Sequence, residues 1–114
     1  MGAEFVNFTE LLHQSDFIFV SVPLLKETTG MFNDDAFSKM KKNCVFVNVS
    51  RGKIVKTDAL VKALKNGTIF AAGLDVTDPE PLPTDHELLK LKNAGNFLFY
   101  FLKLFYKKKT KISK

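Results

Sequence analysis

One cysteine, no Gly-x-Gly-x-x-Gly run, no amino-terminal targeting pattern and no basic stripe in the body of the chain set the first limits on this sequence. Cys44 alone excludes an intramolecular disulfide. Because it opens an apolar run it reads as a small buried hydrophobe, with a catalytic thiol as the lesser alternative. No candidate strand is followed by the glycine loop that seats a pyrophosphate on a helix N-terminus. Residues 1–20 show no basic start, apolar core and small-residue cleavage site, so the default compartment is the cytoplasm. The 17 basic residues against 12 acidic ones suggest a basic protein, yet Lys103, Lys107, Lys108, Lys109, Lys111 and Lys114 all lie at the carboxyl end, leaving 11 against 12 before them. A near-neutral body excludes the basic footprint of a nucleic-acid-binding surface. His13 has no second histidine or carboxylate at ligand spacing and reads as a solvated helix residue, so no metal site is expected. At 114 residues the chain is at most one small domain.

What is present centres on Val45-Phe46-Val47-Asn48-Val49-Ser50-Arg51-Gly52. An apolar, β-branched run breaking into Ser-Arg-Gly predicts a buried parallel strand that ends at a tight turn. In open α/β sheets small molecules bind outside the carboxyl ends of the strands, and the fixed fork of Arg grips a carboxylate with two parallel hydrogen bonds. Arg51 is therefore a candidate anion-binding residue, with a merely solvated surface Arg as the competing reading.

Taken in order, Ala3–Asn7 is a short strand candidate, and Thr9 is placed to cap a helix through Glu10, Leu11, Leu12 and His13. Asp16–Val22 is apolar on both faces and bounded by Pro23, which suits an interior parallel strand. Asn33 is placed to cap a helix carrying Ala36, Phe37 and Met40. Thr57 is placed to cap another, with Leu60, Val61, Ala63 and Leu64 on one face and Asn66-Gly67 at its end. Thr68–Val76 is the next strand, and Pro79, Pro81 and Pro83 make a stiff extended loop that holds Glu80. Strands alternating with helices predict an α/β fold, half of a doubly wound parallel sheet. Pro23, Arg51 and Asp75 with Glu80 then fall at the carboxyl ends of three successive strands, which right-handed crossovers bring to one edge.

Val22-Pro23-Leu24 with Thr28-Thr29-Gly30, then Val47-Asn48-Val49-Ser50-Arg51-Gly52, then Ala72-Gly73-Leu74-Asp75-Val76-Thr77-Asp78-Pro79-Glu80-Pro81-Leu82-Pro83 followed by His86, Leu88 and Leu89, carry a family resemblance. Over about residues 2–93 the chain resembles the D-2-hydroxyacid dehydrogenases, most of all their glyoxylate reductase/hydroxypyruvate reductase branch. The resemblance implies the second half of a Rossmann-like NAD(P)-binding domain. It also implies an NAD(P)H cofactor, a small 2-oxo acid substrate and a family-type homodimer. In its terms Arg51 would hold the substrate carboxylate and polarise its carbonyl. Glu80 would hydrogen-bond a catalytic histidine and keep it protonated. Pro23, Val49 and Asp75 would line the nicotinamide end of the cofactor, Asp75 reaching the carboxamide.

Two departures qualify this expectation. Where the family has Pro-His-x-Gly, this chain reads Ala94-Gly95-Asn96-Phe97-Leu98-Phe99-Tyr100, and the match places His86 in the loop before that position. The substrate-binding domain and the glycine-loop half of the nucleotide domain have no counterpart in the 114 residues. The domain organisation expected is a partial NAD(P)-binding domain over residues 1–93 and a divergent apolar and basic tail over 94–114. The tail's apolar run is well short of the roughly 20 residues that span a bilayer. A membrane-surface helix or tail anchor is thus the lesser alternative to an extension outside the family pattern. The function expected is that of a reductase fragment inactive by itself and prone to self-association. The competing class is a non-enzymatic truncated product or a module that pairs with an intact subunit.

Overall fold

Four short strands stand side by side in chain order as one parallel sheet in this computed structural model, which describes residues 3–96. The elements are α1 (Phe8–Gln14), β1 (Phe17–Val20), α2 (Asp34–Ser38), β2 (Val45–Asn48), α3 (Thr57–Lys65), β3 (Ala71–Leu74) and β4 (Ala94–Asn96), with 3₁₀ turns at Gly52–Ile54 and Glu87–Lys90. Phe17 pairs with Val45, Val45 with Ala71, and Ala72 with Ala94, all in parallel register. The α/β class and the parallel half-sheet are those predicted from the strand and helix alternation.

The core follows from alternation along the strands. Ile18 and Val20 of β1, Phe46 of β2 and Ala72 of β3 turn to one face, where they join Leu12 of α1, Phe37 of α2 and Leu60 of α3 in a single buried cluster. Phe46 sits at its centre, with ring centroids 4.9 Å from Phe32 and 5.4 Å from Phe37. Every described α-helix contributes to that cluster, so the helices share one face of the sheet. Alanine and glycine in β3 leave room for this close approach. On α3 the buried Leu60, Val61, Ala63 and Leu64 oppose exposed Lys62 and Lys65, an amphipathic pattern that orients the helix. Lys62–Asp34 and Lys65–Glu87 join α3 to its neighbours at 3.3 and 3.1 Å, but both pairs are solvated and contribute little beside the apolar burial.

Caps refine the expected boundaries. Asn33 caps α2 as predicted, its Oδ1 accepting from the Ala36 N–H at 3.0 Å, and Gly67 ends α3 at φ 69°, a left-handed value that favours glycine. Two caps differ from expectation. Asn7, not Thr9, caps α1, its Oδ1 accepting from the Glu10 N–H at 2.9 Å. Thr57 is the first residue of α3 and not its cap; its hydroxyl donates instead to the Asp78 carbonyl at 2.7 Å.

Two strand assignments also change. Ala3–Asn7 is irregular and exposed, because no described strand lies beside it to accept its main-chain groups and Asn7 is committed to the helix cap. The fourth strand is Ala94–Asn96, which the expected boundary after residue 93 had placed in the tail; it gains its extended form by pairing with β3. Residues 97–114, and with them the expected apolar and basic stretch, lie outside the described residues. Among the described residues no helix is long and apolar enough to cross a membrane.

The aromatic centre should dominate stability. Phe46→Ala is expected to lower the unfolding free energy by about 3–5 kcal/mol through lost burial and a residual cavity. Gly67→Ala, where only conformation is at stake and nothing lies within 4 Å, should cost about 1 kcal/mol. Urea titrations followed by circular dichroism would measure both, and equal costs would contradict the packing described.

Candidate functional site

Parallel strands put all their carboxyl ends on one edge, and three of the loops leaving that edge are tied together through main-chain groups. The Val49 N–H donates to the Val20 carbonyl at 3.3 Å, and the Asp75 N–H donates to the Asn48 carbonyl at 3.0 Å. The Ser50 hydroxyl donates to the Val22 carbonyl. The turn after β2 is therefore anchored to the loop after β1 on one side and to the start of the loop after β3 on the other.

Asn48 organises this turn from below. It is the one polar side chain among the described buried residues, at 1% exposure, and a buried amide is costly unless its groups are satisfied. Its Nδ2 donates to the Arg51 carbonyl and its Oδ1 accepts from the Ser50 N–H, both at 3.0 Å. Both bonds fold the backbone so that residue 51 leaves the sheet edge. Gly52 follows because of space and not because of its dihedral angle. A Cβ there would lie 2.0 Å from the Thr77 carbonyl oxygen and 2.1 Å from the Thr77 carbonyl carbon. The sequence pattern did not single out Asn48 or Gly52 as functional. Their signals were an amide interrupting an apolar strand and a glycine directly after the candidate Arg.

Arg51 itself is exposed, with Nη1 donating to the Ser50 carbonyl at 2.9 Å. It is the only arginine in the chain. Among the described residues no carboxylate forms an ion pair with it. Val49 is half-buried beside it, and Pro23 is exposed in the loop after β1, its carbonyl accepting from the Thr28 hydroxyl at 2.7 Å. Asp75 and Glu80 share a cleft of about 400 Å³ that is completed by Leu74, Leu82, Leu88 and Ala94. Arg51 and Pro23 do not line that cleft. All five candidates lie in the loops that follow β1, β2 and β3, and of them only the two carboxylates line one cavity.

Other chemistry-bearing residues are engaged elsewhere. His86 caps the Glu87–Lys90 turn, its Nδ1 accepting from the Leu88 N–H at 3.1 Å, and it stands outside the Asp75–Glu80 cleft. Cys44 is fully buried at the start of β2. Burial foremost, and then the nearby Asp16 charge, push its thiol up from the usual range, away from thiolate chemistry. Asp16, at the opposite end of β1, is held below the usual carboxylate range chiefly by the hydrogen bond from Lys41 at 3.1 Å.

The sequence profile described as "D-isomer specific 2-hydroxyacid dehydrogenase, NAD binding domain" matches residues 1–96. The glyoxylate reductase/hydroxypyruvate reductase of Homo sapiens is 58% identical over 92 residues, which are 81% of this chain and 28% of that protein. Among solved structures, the TT0316 protein of Thermus thermophilus superposes with a TM-score of 0.80 at 42% identity, over 84% of this chain and 31% of that one. The D-isomer specific 2-hydroxyacid dehydrogenase of Xanthobacter autotrophicus Py2, solved in complex with NADPH and MES, gives 0.75 at 34% identity over 78% and 37%. The chain therefore spans less than a third of the length of the human protein it matches.

The residues present suit one end of a nicotinamide dinucleotide. Half-buried Val49 and exposed Pro23 offer apolar surface for a ring, and the exposed Asp75 carboxylate, its backbone fixed to Asn48, can accept from a carboxamide. A pyrophosphate finds no Gly-x-Gly-x-x-Gly loop in the 114 residues.

The crowding at Gly52 and the burial of Cys44 give two expected outcomes. Gly52→Ala should destabilise the chain by several kcal/mol, because a methyl group meets backbone and not a flexible side chain; a loss below about 1 kcal/mol in urea titration would refute that close approach. Cys44 should resist a thiol reagent such as dithionitrobenzoate in the native state and react fully in denaturant; rapid native labelling would show that it is accessible.

Proposed function

The chain belongs to the D-isomer specific 2-hydroxyacid dehydrogenases as part of their NAD-binding domain, and on that premise we propose that it carries the substrate-anchoring edge of an NAD(P)H-dependent 2-oxo acid reductase of the glyoxylate/hydroxypyruvate type. The observation that supports this most is Arg51, a lone guanidinium held at the sheet edge by a buried amide and paired with no described carboxylate. Its fork takes the substrate carboxylate in two parallel hydrogen bonds and withdraws electron density from the adjacent carbonyl. Val49 and Pro23 contact the nicotinamide ring, and Asp75 accepts from its carboxamide. The cofactor supplies the hydride when bound. Glu80 is a positioning residue: from its cleft it holds a protonated imidazole ready to donate to the developing alkoxide. No such imidazole is in this chain at the position of the family's Pro-His-x-Gly, where Ala94-Gly95-Asn96-Phe97 stands. We therefore assign the partial NAD(P)-binding domain to residues 1–96, the span the family profile matches, rather than ending it at residue 93.

A second reading is a non-enzymatic module that associates with an intact subunit. What favours it is the same substitution at the family's histidine position.

Two measurements separate the readings. The purified chain should show no measurable reduction of glyoxylate or hydroxypyruvate with NADH or NADPH, since loss of the proton donor alone costs about 10²–10⁴ in rate. Placed in the human relative in exchange for the 92 matching residues, which leaves that protein's own remaining machinery intact, the segment should restore turnover. Arg51→Ala in the chimera should then lower kcat/KM by about 10²–10³. Turnover by the isolated chain that Arg51→Ala abolishes, or a folded chimera indifferent to that change, would overturn the assignment.

A further inference from the structure

The proline loop after β3 carries Glu80 without a bond to Glu80 itself. Among the described residues no hydrogen bond or ion pair holds its carboxylate or its main-chain groups, so the backbone before it sets where the carboxylate stands. That backbone is held at three successive residues. Thr77 packs against Gly52, where a Cβ would fall 2.0 Å from the Thr77 carbonyl oxygen. The Asp78 carbonyl accepts from the Thr57 hydroxyl at 2.7 Å, and the Pro79 carbonyl accepts from the Thr77 hydroxyl at 3.0 Å. Of these, only the Thr57 bond ties the loop to a helix, from 21 residues earlier in the chain.

The same loop is a partition between two cavities. Asp78 and Pro79 line one of about 390 Å³ together with Thr57, while Thr77, Glu80 and Pro81 line the cleft of about 400 Å³ that holds Asp75. Thr57 therefore grips the back of a wall whose front carries Glu80. Its placement runs against local preference. Threonine is a good N-cap, and one residue earlier its hydroxyl would accept from an orphan N–H of α3. Lys56 stands at that cap instead and makes no side-chain bond there, while half-buried Thr57, the first helical residue, donates across to the loop. Departures of this kind from local consistency gather at functional sites. Resting on the reductase reading above, we propose that Thr57 is a positioning residue for Glu80, fixing the loop so that the carboxylate meets the imidazole from within its cleft. Thr57 touches neither substrate nor cofactor in this role. The hydroxyl is what matters, because valine has nearly the same shape and leaves the half-buried Asp78 carbonyl without this partner.

Exchange and turnover test the role. In the full 114-residue chain, Thr57→Val should raise hydrogen–deuterium exchange at the Asp78, Glu80 and Leu82 amides by about fivefold. Circular dichroism should stay unchanged, and Thr57→Ser should keep the original protection. In the chimera with the human relative, which supplies the imidazole, Thr57→Val should lower kcat by about tenfold. The KM for glyoxylate should hold, since Arg51 is untouched. A carboxylate beside an imidazolium raises its pKa, so misaiming Glu80 should move the alkaline limb of the kcat/KM profile to lower pH, by about one unit. Thr57→Ser should retain both properties, and Lys62→Ala, exposed on α3, should alter neither. Because Thr57 acts through Glu80, Thr57→Val in a Glu80→Gln background should have no further effect. Unchanged exchange in Thr57→Val, or losses that multiply with an effective Glu80→Gln, would overturn the inference and leave the reading of Glu80 standing. An inert Glu80→Gln in an active chimera would remove that reading and the positioning role with it, while raised exchange in Thr57→Val would still show the bond holding the loop.

Discussion

Backbone packed against backbone at Gly52 and Thr77 is the constraint on which the sheet edge depends. A Cβ at residue 52 would fall 2.0 Å from the Thr77 carbonyl oxygen, so the turn after β2 and the loop after β3 come as close as two peptide planes allow. Ordinary side-chain packing adjusts by rotamer changes; two main chains in contact have no such freedom. That closeness fixes the spacing between Arg51, which precedes the contact, and Asp75 and Glu80, which flank it. The Thr57 hydroxyl, donating to the Asp78 carbonyl, carries the same constraint into the first turn of α3.

Polar and apolar forces divide the labour by position. The helix side of the sheet is held by a continuous apolar cluster centred on Phe32, Phe37 and Phe46, with solvated ion pairs adding little. At the carboxyl edge the cluster stops and hydrogen bonds take over. Asn48 satisfies both ends of its amide within the turn that it shapes, so burying it costs little and fixes where Arg51 emerges. The guanidinium is thereby placed without a described carboxylate partner.

Legibility in the sequence followed the range of the interaction. Local signals were readable: Asn33 as a cap, Gly67 as a left-handed terminator, and the apolar strand that ends at Arg51. Signals that need a neighbour were not. Ala3–Asn7 has the composition of a strand but no described strand beside it, and Asn7 found a nearer partner in the first turn of α1. Ala94–Asn96 has almost no strand preference and becomes one because β3 offers its edge. The three candidate strand ends were legible as a set because parallel strands with helical crossovers leave them no other edge. That Asp75 and Glu80 share a cleft which Arg51 does not line depends on the path of the proline loop. The work of Asn48 and Gly52 depends on atoms brought together across loops, which periodicity does not encode.

The monotonic order of β1, β2, β3 and β4 has a consequence for how the sheet is made. Each strand pairs with the one immediately before it in the chain, across a single crossover. A polypeptide leaving the ribosome can lay these strands down one after another, each loop closure being short and none waiting on sequence still to be translated. Had the order been interleaved, the outer strands would have had to remain open until a later one filled the middle. Among the described strands growth proceeds in one direction, away from β1, whose outer side β2, β3 and β4 do not reach.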